Sequence, residues 1–482
     1  MTMNGSKHDT YLKEWQTQEA AAERMLPLIG ALYRDKNIVT TVYGRSLVHC
    51  TAIDILKAHR FARRTVDNEL SVADSMPLLE AICRLDLAPA RIDLGKLTFR
   101  FLAEGGSPSA DAYVRQELAA INTGVGPLLE EPQDIVLYGF GRIGRLLTRI
   151  LIEKAGSGEK FRLKAAVVRK GAADDLLKRA SLLRRDSVHG RFNGIITIDE
   201  EENAIIANGN MIRIIYADSP ESVDYSQYGI HNAILIDNTG KWRDRAGLAK
   251  HLLAPGIAKV VLTAPGKGDI PNVVAGVNED LITSDEQIFS AASCTTNAIV
   301  PVLKALNDRY GILHGHIETC HSFTNDQNLI DNYHKAARRG RSAPLNMVIT
   351  ETGAAKAVAK VIPDLAGKLT GNAIRVPTPN VSLAILSLEL GTPVKVAELN
   401  GYLRAMSLES PLQNQIDYTN SPEVVSSDFV GSRHAGVVDS LATIAEGTRI
   451  VLYVWYDNEF GYSCQVVRMV QHMAGLALQA LP

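Results

Sequence analysis

Hydrophobic and polar positions change rhythm twice along the chain. Residues 11–33 are rich in Ala, Glu, Gln, Leu and Met, all good helix formers. Residues 46–66 carry Leu47, Ile53, Leu56 and Phe61 at helical intervals. Residues 75–85, with Pro77 near their start, predict another helix, and residues 111–121 a further one. Thr123-Gly-Val-Gly-Pro127 reads as a linker. Residues 1–130 are therefore expected to form an all-α extension of unassigned role.

At Asp134 the pattern changes. The apolar run Ile135-Val-Leu-Tyr138 is followed by Gly139, Gly141 and Gly144, then by residues 146–155 at helical period. Apolar runs at 163–168, 233–236 and 259–262 alternate with helical stretches. That is the rhythm of a parallel, doubly wound sheet. After Thr296 longer alternating runs appear, as at 381–390 and 449–455, and they predict a second domain with a mainly antiparallel sheet. Residues 463–480 place Val466, Val467, Val470, Met473 and Leu476 on one helical face. The expected class is α/β: a Rossmann dinucleotide-binding domain over 131–293, completed by a C-terminal helix within 457–482, and an α+β catalytic domain over 294–456.

Composition narrows the function. Of 482 residues, 46% are hydrophobic and 22% charged, as in a globular protein. Lys and Arg number 51 against 53 Asp and Glu, a formal charge of -2, so nothing demands a nucleic-acid or anionic-membrane partner. No apolar run is long enough to span a bilayer, and residues 1–11 are polar rather than signal-like, which leads us to expect a cytoplasmic protein. The five cysteines (Cys50, Cys83, Cys294, Cys320, Cys464) are scattered and odd in number, against a disulfide framework. No metal site is expected.

Two segments carry chemistry. Gly139-Phe-Gly-Arg-Ile-Gly144 lies between a predicted strand and a predicted helix. There, glycines permit close backbone approach and a helix start offers unpaired N–H groups to a pyrophosphate. The next strand ends in Arg169 and Lys170, where NAD-binding folds usually place an acid. Two cations suit a 2′-phosphate, so the cofactor is NAD or NADP. Further on, Ser293-Cys-Thr-Thr-Asn297 leads from an apolar strand into an amphipathic stretch. Ser293, Thr295 and Thr296 are natural cap residues, which puts Cys294 at a helix start, where the dipole lowers a thiol pKa. His321, near the end of a predicted strand, is the candidate base, and its neighbour Cys320 reads as structural.

At these residues the sequence closely resembles phosphorylating glyceraldehyde-3-phosphate dehydrogenase over about residues 132–482. The shared motifs are the glycine loop extended to Arg145, Asp186-Ser-Val-His-Gly190, Ala292-Ser-Cys-Thr-Thr-Asn297 and His321-Ser-Phe-Thr324. Downstream come Thr352-Gly-Ala-Ala-Lys-Ala357, Lys368-Leu-Thr-Gly371, Arg375-Val-Pro-Thr378 and Trp455-Tyr-Asp-Asn-Glu-Phe-Gly-Tyr462. The resemblance implies that Cys294 is the nucleophile and His321 its base. It implies that Ser293, Thr295, Thr352 and Gly353 hold the attacking inorganic phosphate, and that Thr324 and Arg375 hold the substrate phosphate. Arg142 and Ile143 would meet the cofactor pyrophosphate, Thr239 and Thr263 the cofactor beyond it, and Asn458 the nicotinamide amide, with Tyr462 nearby. It further implies a homotetramer. The family usually has Asn where Tyr138 stands and an acid near Gly171, and its substrate loop differs from His334-Lys-Ala-Ala-Arg-Arg-Gly-Arg341. A dehydrogenase of another phosphorylated aldehyde, such as erythrose 4-phosphate, and a non-catalytic redox-sensing or scaffold relative remain as alternatives.

Overall fold

The computed structural model describes residues 7–63, 69–124, 129, 131–156 and 160–482. They form two compact units: Met1–Glu131 with Gly156–Lys160 and Leu476–Pro482, and Pro132–Ala155 with Phe161–Gly475.

The first unit is built round the helix Lys7–Lys36, which buries Ala21, Ala22, Met25, Ile29, Leu32 and Tyr33 on one stripe. Helices Ala52–Phe61 and Val72–Cys83 both begin at capping boxes, Thr51 with Asp54 and Ser71 with Asp74. The Ser71 cap starts the latter helix earlier than predicted and leaves Pro77 in its interior. Residues 64–68 of the second predicted helix, and 125–128 of the predicted linker, lie outside the described residues.

This unit is not all-α. A four-stranded sheet runs in the order Arg45–Ser46, Val39–Val42, Ala90–Asp93, Gln479–Leu481. The strands were illegible because Val39–Val42 and Ala90–Asp93 are four residues each, with nearly every position buried, so no alternation marks them. Asp93 fixes the turn between the first pair: its carboxylate accepts from Thr41 Oγ1, Tyr43 N and Gly44 N, and from Lys96 N at the start of the next helix. The fourth strand comes from the far end of the chain. The C-terminal helix is Phe460–Met473, shorter than the predicted 463–480, because Gly475 (φ +69°) terminates it in a left-handed conformation.

The second unit holds two eight-stranded sheets. In the first, Ile288–Ser290, Ile257–Leu262, Ala233–Asp237, Gln133–Tyr138, Phe161–Val168 and Asn210–Tyr216 run parallel, and Ala204–Ala207 and Ile196–Asp199 extend the edge antiparallel. Helices Arg142–Lys154 and Phe460–Met473 pack together. The second sheet orders Val348–Glu351, Leu369–Val376, Ile312–Ser322, Ser382–Leu390, Arg449–Tyr456, Gly436–Asp439 and Ile416–Thr419, with Ile444–Glu446 beside Arg449–Tyr456. Most of its pairs are antiparallel. The buried helix Cys294–Tyr310 lies in the core of this sheet, so its first residue stands where the two sheets meet. Among the described residues, no helix is long and apolar enough to cross a membrane, and no cluster of His, Cys, Asp and Glu could hold a metal ion.

Candidate active site

Three glycines shape one side of the site. Gly139 follows the strand Gln133–Tyr138 at φ +109°, and a Cβ there would stand 2.7 Å from Asn238 Oδ1. A Cβ on Gly144 would meet the Gly139 carbonyl oxygen at 2.6 Å. Gly141 differs: no atom lies within 4 Å of its would-be Cβ. Gly139 and Gly144 let strand, loop and helix pack, and Gly141 leaves the mouth of the loop open. The helix Arg142–Lys154 starts there with no side-chain cap, and Arg145 N is the first to bond within it, to Gly141 O. The N–H groups of Arg142, Ile143 and Gly144 therefore have no partner inside the helix, and this cradle fits a dinucleotide pyrophosphate. Gly144→Ala should cost about 1–3 kcal/mol of stability by overpacking against backbone and weaken dinucleotide binding. Thermal denaturation and a fluorescence titration would check both.

The Arg142 side chain does not join that cradle. Its Nε donates to Glu459 Oε1 (2.6 Å) and its Nη1 to Asp186 Oδ2 (3.3 Å). Only its backbone is available to a pyrophosphate. Asp186 also accepts from the N–H groups of Val188 and His189, and His189 Nε2 lies 3.0 Å from Asp457 Oδ2. Thus two of the sequence motifs meet in one buried polar network.

Thr239 and Thr263 come together through the buried Asp237. Its Oδ1 accepts from Thr239 N (2.8 Å) and Oγ1 (2.7 Å), and its carbonyl accepts from Thr263 N (3.0 Å). Both threonines sit at the carboxyl ends of parallel strands, where doubly wound folds bind ligands. Arg169 and Lys170 are exposed at the neighbouring strand end. The first acids after them in the chain are engaged: Asp174 with Lys178 (2.7 Å) and Asp175 with Arg179 (2.6 Å). Tyr138 packs edge-on against His251 and Trp242 at ring distances of 4.7 and 5.6 Å, filling the core behind the loop.

The other side of the site is the thiol. Ser293 caps the helix Cys294–Tyr310, its Oγ accepting from Thr296 N. The preceding residue, Ala292, is held at φ +54°, a conformation that costs a non-glycine residue about 1–3 kcal/mol. Tyr462 OH donates to the Ala292 carbonyl (3.0 Å) and helps hold this bend, a role the sequence did not reveal. Cys294 Sγ lies 3.5 Å from His321 Nε2. His321 is the penultimate residue of the strand Ile312–Ser322, and its Nδ1 is 2.7 Å from the Ser322 carbonyl. Arg375 Nη1 approaches both His321 Nδ1 (2.6 Å) and Ser322 O (3.0 Å). Arg375 can only donate and the Ser322 carbonyl can only accept, so the two short contacts at Nδ1 call for opposite tautomers; in the one where Nδ1 donates to the carbonyl, the Nε2 lone pair faces the thiol.

Electrostatics differ from the helix-start expectation. Burial raises the Cys294 thiol pKa, against the lowering influence of Arg375 and of hydrogen bonds from Thr295. Burial and the Arg375 cation push His321 down to about 3. The resting pair is therefore neutral thiol and neutral imidazole. Arg375 itself is desolvated, and its buried Nε has no hydrogen-bond partner. A partly buried guanidinium with no carboxylate in ion-pair range among the described residues is chemically suited to an anion. Thr352 and Gly353 precede the helix Ala354–Val361, where Thr352 Oγ1 accepts from Ala354 N. Thr324 lies half-buried two residues beyond Ser322. Arg339, from the divergent loop, lowers His321 and Arg375 by its charge while donating to Thr350 Oγ1 and pairing with Asp326. Only its place in an unusual cationic run marked it in the sequence.

Residues 133–245 match the family model described as glyceraldehyde 3-phosphate dehydrogenase, NAD binding domain, and residues 293–458 match the one described as its C-terminal domain. The chain belongs to the glyceraldehyde-3-phosphate dehydrogenase family. A "glyceraldehyde-3-phosphate dehydrogenase-like protein" of Pseudomonas aeruginosa is 63% identical over 460 residues, covering 95% of this chain and all of that protein. Glyceraldehyde-3-phosphate dehydrogenase 1 of Bacillus subtilis is 39% identical over 340 residues, 70% of this chain and 97% of its own. A chloroplastic member from Arabidopsis thaliana is 42% identical over 342 residues, 70% of this chain and 83% of its own. The Pseudomonas match is long enough to take in most of the N-terminal segment, which the 340-residue matches are too short to include. As a family member the chain is an oxidoreductase that uses NAD or NADP.

Proposed function

We propose that the chain oxidises glyceraldehyde 3-phosphate to 1,3-bisphosphoglycerate, reversibly, through a thioester on Cys294. The observation that carries this reading is the thiol 3.5 Å from an imidazole nitrogen, with Arg375, whose Nε has no hydrogen-bond partner, beside that imidazole. His321 takes the thiol proton as the sulfur adds to the aldehyde carbon and hands it to the former carbonyl oxygen, then takes the hydroxyl proton of the thiohemiacetal as the carbon is oxidised. The dinucleotide, when bound, supplies the hydride acceptor. Inorganic phosphate attacks the thioester, and the thiol leaves with the acyl group transferred to phosphate.

The charges favour this order. Arg375 is one cause of the weak basicity of His321. A substrate phosphate held by Arg375 and Thr324 would cancel that charge and raise the basicity of the imidazole when substrate is in place. Ser293, Thr295, Thr352 and Gly353 lie at two helix starts and supply hydroxyls and N–H groups for the second phosphate. Adding hydroxylamine after the enzyme has been filtered off tests the assignment: an acyl hydroxamate that forms only when phosphate was present during the reaction supports it, and release of a free carboxylic acid in its place overturns it. Comparing kcat/KM for glyceraldehyde 3-phosphate and erythrose 4-phosphate decides between the two aldehydes.

Exposed Arg169 and Lys170, with Asp174 and Asp175 paired elsewhere, support use of NADP alongside NAD. Arg169→Asp should raise the KM for NADP+ about tenfold, the loss of roughly one charged contact to phosphate, while leaving the KM for NAD+ within twofold. Steady-state kinetics with both cofactors would show it. A homotetramer is supported by the apolar surface of Leu329, Ile330, Tyr333, Leu345 and Met347, each more than two-thirds exposed in the single chain. The balanced charge of the chain gives no call for a nucleic-acid or anionic-membrane partner.

A further inference from the structure

We infer that Ser382 is a positioning residue that sets the orientation of the Asn458 amide and ties it to the strand end bearing His321. The inference rests on the reading above of Asn458 as the residue that meets the nicotinamide amide.

Ser382 opens the strand Ser382–Leu390 and is 1% exposed. Its hydroxyl accepts from Ser322 N (3.1 Å) and donates to Asn458 Oδ1 (2.9 Å). The Tyr456 hydroxyl lies 3.0 Å from Thr295 Oγ1. Ser322 N–H occupies one lone pair of Ser382 Oγ, and the serine's own proton points at Asn458. The amide meets that proton with its oxygen. That fixes the amide one way round and leaves its two N–H donors for a ligand carbonyl.

The same serine steadies the base. Ser322 follows His321, and its carbonyl orients His321 Nδ1. Its Oγ donates to the carbonyl of Val381 (2.8 Å), which is held at φ +65°. A β-branched residue at positive φ is strained, and persists only where its surroundings over-determine it. One buried hydroxyl thus stands between the peptide that aims the base and the amide that aims the cofactor.

The test is a double-mutant cycle read on the KM for the preferred dinucleotide, with the KM for the aldehyde as control. Ser382→Ala should raise the dinucleotide KM about tenfold, as expected for one buried hydrogen bond, and leave the aldehyde KM within twofold. Ser382→Cys, close in size and a weak donor, should fall between. In an Asn458→Ala background, Ser382→Ala should add nothing further. An equal effect of Ser382→Ala in both backgrounds, or equal rises in both KM values, would overturn the inference. If Asn458→Ala raises the dinucleotide KM while Ser382→Ala and Ser382→Cys do not, the positioning role alone fails. An Asn458→Ala enzyme with unchanged dinucleotide KM would remove the reading beneath it as well.

Discussion

Replacing Cys294 by Ser is expected to lower kcat by 10⁴-fold or more, on the order of the losses seen when a catalytic nucleophile is removed. The substitution changes one atom at a partly exposed position, so the thermal midpoint should stay within about 2 °C, consistent with ΔΔG within roughly 0.5 kcal/mol. The loss comes from chemistry. An alcohol is far harder to deprotonate than a thiol, and His321, already held down to about 3, is too weak a base to do it. Nor would an ester be as open to phosphate as a thioester. Kinetics and calorimetry on the two proteins separate these effects. A Cys294→Ser enzyme retaining most of its activity would move the nucleophile elsewhere, and an unmodified chain inert with every aldehyde offered would favour a sensor or scaffold.

His321→Asn should cost about 10²–10⁴ in kcat, the span usual for general-base help. It should also change how stability depends on pH. In the unfolded chain this histidine takes a proton near pH 6.5, but in the fold only near pH 3. Between those values the unfolded state binds the extra proton, so the folded state loses stability as pH falls from about 6.5 toward 3. The Asn variant has no such group and should lose less stability over that window. Denaturant titrations at pH 7 and pH 5 compare the two directly: the wild type should lose more between them. Equal losses would mean that His321 is solvated and free to protonate, contrary to its burial against Arg375.

The sequence was most legible where chemistry dictates local geometry. A small cap residue, a cysteine and two threonines after an apolar strand mark a helix start, and the helix begins at Cys294. The first and third glycines of the phosphate loop are needed because a Cβ at either would strike a neighbour within 3 Å. Long-range pairing was not legible. Val39–Val42 becomes a strand only because Ala90–Asp93 lies beside it, and that strand is flanked in turn by Gln479–Leu481 from the opposite end of the chain. Propensity in a four-residue stretch does not encode such partners. The thiol pKa was misjudged for a related reason. A helix start is visible in sequence, whereas the burial that outweighs it depends on how the strand bearing His321 and the strand bearing Arg375 close over the site. Likewise, the sequence does not tell whether Arg142 meets the pyrophosphate with its backbone or its side chain, because the side chain's partners, Glu459 and Asp186, lie far off in the chain.

The most direct measurement is the time course of NAD(P)H absorbance after the enzyme is mixed with glyceraldehyde 3-phosphate and dinucleotide in phosphate-free buffer. A thioester on Cys294 that only phosphate resolves predicts a burst approaching one NAD(P)H per chain, then near-arrest, with turnover restored when phosphate is added. Steady turnover from the first seconds, unchanged by phosphate, would contradict it.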